Sequence, residues 1–264
     1  MLKVLAVAML AALTQTAPNP HLPKPTYDSV PPAVPAGIQR GVLIVSKTNA
    51  WRHLEHIPHS NEVIAGIAKD LKRPSFTTEN AAVFDDAILK NFSVVVLNSA
   101  SGDFMTAPQR EALARFVARG GGIVALHAAG DNSHKAPWYF DTIIGATFTG
   151  HPNGPDHIQP ASVLIDQPRH PVMAGVKLPW KPADEWYSFD VDPATRGMTI
   201  LARIDEASYR PGDKLKMGAV HPVIWVNPRT KGRVVYSAMG HNPENYDDPN
   251  YRLILTNAIR WAAR

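Results

Sequence analysis

Histidines stand out among the residues that could do chemistry in this chain of 264 residues, which has 11 of them. His53, His56, His127, His151 and His241 lie in or beside segments rich in Gly, Pro, Asn and Asp, as is typical of loops. A neutral imidazole can bind a metal ion or move a proton near neutral pH. The histidines therefore indicate a metal site or an acid–base site, and the sequence leaves both open.

A divalent metal such as zinc is the first alternative. His127 and His241 would hold it with His53 or His56 and with His151, and an open position would take water or a sugar hydroxyl. The metal-ligand set proposed from the sequence is His56 and His151 together with His127 and His241. The chain has no H-E-x-x-H or H-x-x-x-H signature, so spacing does not establish this set.

Acid–base chemistry on a sugar carbon is the second alternative. His127, His241, Glu185 and Asp184 are its catalytic candidates, sharing proton transfer between imidazoles and carboxylates. The carboxylates begin the stretch "DEWY", and carbohydrate sites commonly combine such acids with rings, since a sugar has an apolar face and a polar rim. The substrate-binding candidates are Trp51, His53, Trp186, Tyr187 and Tyr246. Packing of Trp186 and Tyr187 in the core, with their polar atoms satisfied, is the competing interpretation.

Strands alternating with helices are predicted from Gly41 onward. "GVLIVSK", "FSVVVLNSA" and "GIVALHA" are short β-branched runs typical of buried parallel strands. Between them, "SNEVIAGIAKDLKR" and "TAPQREALARFVARGG" have helical spacing, with Ser60 and Thr106 as expected N-caps. The predicted fold class is α/β, with a doubly wound, mostly parallel sheet of the flavodoxin type.

The second half of the chain predicts a mixed β extension of that sheet and a closing helix. Its short strand patterns are "SVLID", "MTILAR", "PVIWV" and "RVVYSAMG", and the helix pattern is "YRLILTNAIRWAAR". Ligands of parallel sheets bind beyond the carboxyl ends of the strands. We therefore expect one edge to gather the segments "TNAWRHLEHIPH", "SASGDF", "HAAGDNSH" and "MGHNPENY".

The N-terminal region predicts export. Residues 1–17, "MLKVLAVAMLAALTQTA", have a lysine, a short apolar run and small polar residues, as in a secretory signal peptide, and the run is too short to span a membrane. Residues 18–40 are proline-rich and predict a linker, and residues 41–264 predict one domain. A periplasmic or secreted location follows as an expectation.

Composition excludes some classes of function. The net charge of +4 comes from 27 basic and 23 acidic residues, which are spread along the chain, so we expect no nucleic-acid partner. The chain has no cysteine, which excludes a disulfide framework and a thiolate nucleophile. The oligomeric state stays open.

Six stretches in order resemble the ThuA-like, trehalose-utilisation family, over about Gly41 to Arg264. They are "WRHLEHI", "GGGIVALHAAG", "GATFTGHP", "HPVMAGV", "DEWYSF" and "GRVVYSAMGHNPENYDDPNY". The fold of this family is similar to that of class I glutamine amidotransferases, which have a cysteine in the turn after the strand equivalent to "GIVAL". Here that turn has His127, and "HNPE" keeps His241 and moves the acid to Glu244. Without a thiol this chain is not expected to be a glutaminase, and Ser133 lacks a G-x-S-x-G context.

The resemblance implies action on a sugar or keto-glycoside by hydrolysis, elimination or isomerisation, and the pattern of residues 1–17 adds the expectation that the protein is exported. The partner would be a small-molecule carbohydrate. A non-catalytic carbohydrate-binding or accessory module is the alternative, and a partner-binding scaffold is a third interpretation. The sequence does not decide whether the protein is an enzyme.

Overall fold

A computed structural model describes residues 18–131 and 133–264. The predicted signal peptide, residues 1–17, lies outside the described residues, so it stays a prediction. Among the helices in the two described ranges, none has both the length and the apolar character needed to cross a membrane.

The described chain forms twelve strands and five α-helices. The strands are β1 Gly41–Val45, β2 Ser75–Thr78, β3 Phe92–Asn98, β4 Gly122–Leu126, β5 Phe148–Gly150, β6 Gln159–Pro160, β7 Val163–Ile165, β8 Ala183–Asp184, β9 Ser188–Phe189, β10 Thr199–Ile204, β11 Pro222–Asn227 and β12 Val234–Ser237. The helices are α1 Ile57–Asp70, α2 Asp86–Leu89, α3 Ala107–Ala118, α4 Pro137–Tyr139 and α5 Pro249–Ala262. A π-helical turn spans Phe140–Ile144, and short 3₁₀ turns lie at Ala81–Val83, His127–Gly130, Gly154–Asp156, Pro193–Arg196, Glu206–Ser208, Asp213–Leu215 and Pro243–Asp247.

An eight-stranded sheet organises the fold, in the order β2-β1-β3-β4-β12-β11-β10-β7. The neighbours from β2 through β12 are parallel, and the neighbours from β12 through β7 are antiparallel. Two small antiparallel pairs, β5 with β9 and β6 with β8, lie outside this sheet. The predicted α/β class, with a mostly parallel sheet and a mixed extension, is confirmed.

Helices cover both faces of the parallel strands, which explains their continuous apolar runs. Along β1, Val42 and Ile44 belong to the same buried cluster as apolar residues of α1 and α5. Leu43 and Val45 point the other way and belong to a cluster with α3. Alternate side chains of one strand therefore enter two different cores, and the sheet is doubly wound as predicted.

Two helix starts show what local sequence can and cannot predict. The N-cap of α3 is Thr106 as predicted, and its backbone N–H donates to Gln109 Oε1 at 2.8 Å in a capping box. The predicted N-cap Ser60 is wrong, because α1 begins three residues earlier at Ile57 and Pro58 occupies its first turn. Ser60 Oγ donates instead to the Ile57 carbonyl at 3.1 Å, inside the helix.

The proline-rich segment, residues 18–40, has no helix or strand but contacts the domain at several points. Asp28 Oδ2 forms an ion pair with Lys47 Nζ at 3.0 Å. The same oxygen accepts a hydrogen bond from the Ala81 N–H at 2.9 Å. Thr26 accepts a 2.7 Å hydrogen bond from Lys47 Nζ and donates its backbone N–H to Asn49 Oδ1 at 3.0 Å. The segment therefore lies against the edge of the sheet at which β1 ends.

Burial along α5 predicts the cost of truncating its leucines. Leu255 is fully buried, whereas Leu253 on the same helix is half-buried. We expect Leu255→Ala to lower the free energy of unfolding by about 2–5 kcal/mol, since it leaves a cavity, and Leu253→Ala to cost clearly less. Urea unfolding of both variants checks this, and equal losses would contradict the assigned helix face.

Candidate metal centre

Three histidines meet because each follows a strand of the parallel part of the sheet. His53 lies in the loop after β1, His127 directly after β4 and His241 four residues after β12. His127 has a left-handed backbone with φ of 48°, which is uncommon for a residue with a side chain. The Tyr236 hydroxyl donates to the His127 carbonyl at 3.0 Å and holds that turn. The predicted gathering of strand-end segments at one edge is thus present.

Glu185, which follows the short strand β8, completes a compact set of donors. The Nε2 of His127 lies 3.2 Å from His241 Nδ1 and 3.5 Å from Glu185 Oε2, and the latter two atoms are 3.2 Å apart. A tetrahedral zinc site with bonds of about 2.0–2.1 Å has ligand atoms about 3.4 Å from one another. The three atoms therefore form a triangle of the size that one face of such a site requires.

His53 is the fourth member of the set. Ligand atoms of His53, His127, Glu185 and His241 all lie within 4.8 Å of one another. Within the described part of the chain, His53 Nδ1 is buried without a hydrogen-bond partner. Burial, followed by the nearby imidazole of His127, lowers the pKa of His53 far below its ordinary value. His53 is therefore a neutral donor.

Electrostatics within the set favour a cation between the donors. Burial alone would raise the pKa of Glu185, but the adjacent imidazoles of His127 and His241 outweigh it and hold that pKa below its ordinary value. Burial lowers the pKa of His241, whereas the neighbouring carboxylate of Glu185 raises it. The net effect is a pKa above the ordinary value. Glu185 is thus an anion that needs a positive partner, and either a protonated imidazole or a metal ion can serve.

The outer hydrogen bonds aim His127 at the centre. Its Nδ1 lies 2.9 Å from the Ala238 carbonyl, so Nδ1–H donates there and the Nε2 lone pair faces the other donors. This pairing of a ligating imidazole with a backbone carbonyl is common in metal sites. The Tyr187 hydroxyl lies 3.1 Å from the same Nε2.

His56, predicted as a metal ligand, has both ring nitrogens engaged elsewhere. Its Nδ1 lies 2.6 Å from the His241 carbonyl and its Nε2 lies 2.8 Å from Ser99 Oγ. The Tyr246 ring stacks against the His56 ring, with the ring centroids 5.7 Å apart. In the described structure the donor set therefore contains His53 in place of His56, and His56 anchors the backbone of His241.

His151, the other predicted metal ligand, lies next to the donor set and not within it. Its Nδ1 is 2.8 Å from the Pro152 carbonyl and 3.2 Å from Glu185 Oε1. The described donor set contains Glu185, which the sequence assigned to catalysis, and does not contain His151. The difference arises because Glu185 Oε2 faces His127 and His241, while Oε1 faces outward to His151.

Asp184 clamps together the two loops that present Glu185 and His241. This fully buried carboxylate accepts the backbone N–H groups of Gly240 at 2.8 Å, His241 at 3.0 Å and Glu185 at 2.8 Å. Gly240 has φ of 109°, and a Cβ there would lie 2.7 Å from the Tyr246 hydroxyl. The loop before His241 therefore requires glycine, and Asp184 is a positioning residue in the described structure.

A cavity of ≈ 630 Å³ opens onto the donor set. His53, Glu185 and His241 line it, and His127 is buried beneath it. The other lining residues are His21, Trp51, Glu55, Asp131, Phe148, His151, Asn153, Gly154, His157, Tyr187 and Asn242. The cavity has the size and mixed polarity of small-molecule sites.

The predicted aromatic residues divide between the cavity and the core. Trp51 and Tyr187 line the cavity. Trp186 is buried, and its Nε1–H donates to the Gln159 carbonyl at 2.7 Å. Tyr246 is also buried, and its hydroxyl donates to the Gly240 carbonyl at 3.1 Å. The competing interpretation, packing with satisfied polar atoms, was made for Trp186 and Tyr187 and describes Trp186. Tyr246, predicted to bind substrate, is likewise packed in the core.

Sequence reasoning missed several cavity residues. His21 comes from the segment interpreted as a linker, and nothing in its local pattern marks it. His157 and Asn242 lie in two different loops rich in Asn, Gly and Pro. Only the loop that contains Asn242 was expected at this edge of the sheet. Ser133, considered as a nucleophile, binds the carboxylate of Asp131 and accepts the Gly102 N–H at 2.6 Å.

The chain is similar to known proteins over nearly all of its described length. Residues 41–262 match the ThuA family, described as "Trehalose utilisation". A ThuA-like protein from Bacteroides uniformis ATCC 8492 is 26% identical with a TM-score of 0.69, covering 88% of this chain and 95% of that one. A ThuA-like protein from Parabacteroides merdae ATCC 43184 is 18% identical with a TM-score of 0.65, and the match covers 85% of this chain and 90% of that one. No curated protein matches the sequence.

A more distant likeness concerns the fold alone. Agd3, described as a novel carbohydrate deacetylase, is 13% identical with a TM-score of 0.55. The match covers 83% of this chain but 32% of that chain. The shared part is thus one unit of a larger protein.

Removal of the Asp184 clamp tests its positioning role. Asp184→Ala deprives three backbone N–H groups of their acceptor, and each such loss in a buried position costs about 1–3 kcal/mol. Since such outer contacts typically change metal affinity by about 10–100-fold, we expect both the free energy of unfolding and zinc affinity to fall.

The control is Asp192→Ala, which removes a carboxylate that accepts the Ala194 N–H away from the cavity. It should cost about 0.5–2 kcal/mol as an ordinary cap and leave zinc affinity unchanged. Unaltered zinc affinity in Asp184→Ala, measured by competition with a chelating dye, would refute the role.

Proposed function

The chain belongs to the ThuA family, and on that premise we propose that it is an exported, metal-dependent enzyme acting on a sugar or keto-glycoside. Export rests on the pattern of residues 1–17. The carbohydrate substrate is supported by the description of the family and by the mixed polar and aromatic lining of the cavity. Metal dependence rests on the geometry of four side chains.

The observation that supports this function best is the donor set of His53, His127, Glu185 and His241 at the floor of the cavity. Three imidazoles and one carboxylate suit zinc or a similar first-row divalent ion, whose coordination can expand to five so that a water or a substrate oxygen from the cavity also binds. When bound, such an ion polarises a carbonyl oxygen or lowers the pKa of a bound water. Both kinds of chemistry serve hydrolysis, elimination or isomerisation at a sugar carbon beside a carbonyl group.

Residues beside the donor set bind the substrate and move protons. Burial raises the pKa of Tyr187 well above its ordinary value, so its hydroxyl keeps its proton. Once His127 Nε2 holds the ion and no longer accepts this proton, the hydroxyl can donate a hydrogen bond to a substrate oxygen. His151 is partly exposed to the cavity and lies 3.2 Å from Glu185 Oε1. It is the group placed to exchange a proton between the substrate and solvent. Asp131, also in the cavity wall, accepts hydroxyl hydrogen bonds.

Metal dependence of turnover tests the proposal. The protein is stripped with a chelator, checked for residual metal, and assayed on keto-glycosides and unmodified glycosides with and without one equivalent of Zn²⁺, Mn²⁺ or Co²⁺. We expect turnover to require the ion. Loss of a residue that only supports a metal ligand typically lowers metal affinity or activity by about 10–100-fold. Loss of a ligand itself in His127→Ala or His241→Ala should therefore lower kcat/KM by more than about 100-fold.

The matched control is His170→Ala. His170 packs on Trp261 of α5 and lies outside the cavity lining, so its removal should leave kcat/KM unchanged. Full turnover by protein shown to be free of metal would contradict the metal-dependent mechanism. Binding of sugars without turnover in any metal-loaded form would favour the alternative, a carbohydrate-binding module.

A further inference from the structure

The proline-rich segment supplies one wall of the cavity. His21 lies against Trp51, with ring centroids 4.7 Å apart and planes at 13°. The Arg52 N–H donates to the His21 carbonyl at 2.8 Å, and His21 Nδ1 donates to the Arg52 carbonyl, also at 2.8 Å. His21 Nε2 lies 3.5 Å from Glu55 Oε1. Hydrogen bonds to Arg52 therefore hold both the backbone and the side chain of His21 in place.

Trp51 keeps a large exposed surface although His21 covers one of its faces. The residue is 43% exposed and lines the cavity. The stacked imidazole restricts the rotation of the indole, so its remaining surface stays directed at the cavity. A rigid aromatic surface of this kind offers large contact area at low entropic cost.

Polar groups share the cavity with that aromatic surface. Glu55, Asn153 and Asn242 line the same cavity and provide hydrogen-bond acceptors and donors. Sugars present an apolar face of C–H groups and a rim of hydroxyls, which match a cavity wall that offers both an aromatic ring and carboxylate and amide groups. The chemistry of the cavity wall therefore suits a sugar ring.

Three of the four metal donors, His53, Glu185 and His241, line the same cavity as Trp51. His53 belongs to the donor set, and the loop that holds it also presents Trp51 and Glu55. A volume of ≈ 630 Å³ exceeds what a single pyranose ring fills. A ring that reacts at the donor set leaves space for a second ring beside Trp51.

We propose that Trp51 and His21 form a second sugar subsite, so that the substrate is a disaccharide or a glycoside with a ring-sized leaving group. This proposal rests on the proposed function, which places the reacting sugar ring at the donor set. The residues interpreted as a linker are thereby part of the binding site, and His21 acts as a positioning residue for Trp51.

Binding calorimetry on the zinc-loaded full chain tests this proposal. The probes are methyl glucoside as the monosaccharide, and trehalose, maltose and cellobiose as disaccharides. We expect at least one disaccharide to bind more tightly than methyl glucoside. Trp51→Ala should lower the ratio of disaccharide to monosaccharide affinity by about tenfold or more, while Trp51→Phe should retain most of it. His21→Ala should lower the ratio by a smaller factor, and His21→Phe should restore it.

The matched control is His59→Ala. His59 is a neighbouring histidine that pairs with Asp247 at 3.0 Å outside the cavity lining, so the ratio should not change. Equal losses of disaccharide and monosaccharide affinity in Trp51→Ala, or no preference of the wild type for any disaccharide, would overturn the subsite.

These outcomes are separable from the test of the proposed function. Metal-dependent turnover with an unchanged ratio in Trp51→Ala would remove the subsite and keep the enzyme. A Trp51-dependent ratio in a protein that binds no metal and turns over no glycoside would keep the subsite and remove the enzyme. Circular dichroism of each variant confirms that it is folded.

Discussion

Three imidazoles and a carboxylate lie within 4.8 Å of one another in a largely buried site, and this constraint governs the surrounding structure. Such groups cannot all carry protons, because desolvation and mutual repulsion disfavour neighbouring imidazolium ions. The low pKa of His53 and the ionised state of Glu185 follow from this arrangement. A single divalent cation would satisfy every donor at once, whereas protons satisfy them only in part.

The fold maintains this arrangement through contacts that are not themselves part of the donor set. The parallel strands bring His53, His127 and His241 to one edge, and Asp184 binds the backbone beside both Glu185 and His241. His56 holds the His241 carbonyl from the opposite side. Because these supports are buried, the donors have little freedom to move apart, which is the preorganisation that metal binding and catalysis require.

The sequence predicted the sheet well because β-branched runs and helical spacing report burial directly. It also predicted that His127 and His241 would converge, since both follow strands of that sheet. It assigned His56 to the metal ligands and His53 to substrate binding, because ring direction in an irregular loop depends on distant partners such as Ser99 and is not visible in the sequence. Nor could it assign Glu185 to the donor set or His21 to the cavity. These placements depend on the short pairing of β6 with β8 and on a proline-rich segment without periodicity.

The central claim is that one ion binds between these four side chains. Anomalous diffraction from crystals loaded with one equivalent of Zn²⁺ tests it most directly, since the signal locates the ion independently of activity. The account predicts a single strong peak at about 2.0–2.2 Å from His127 Nε2, His241 Nδ1 and Glu185 Oε2, with His53 as the fourth ligand. A peak elsewhere, or none at this position in fully loaded protein, would contradict it.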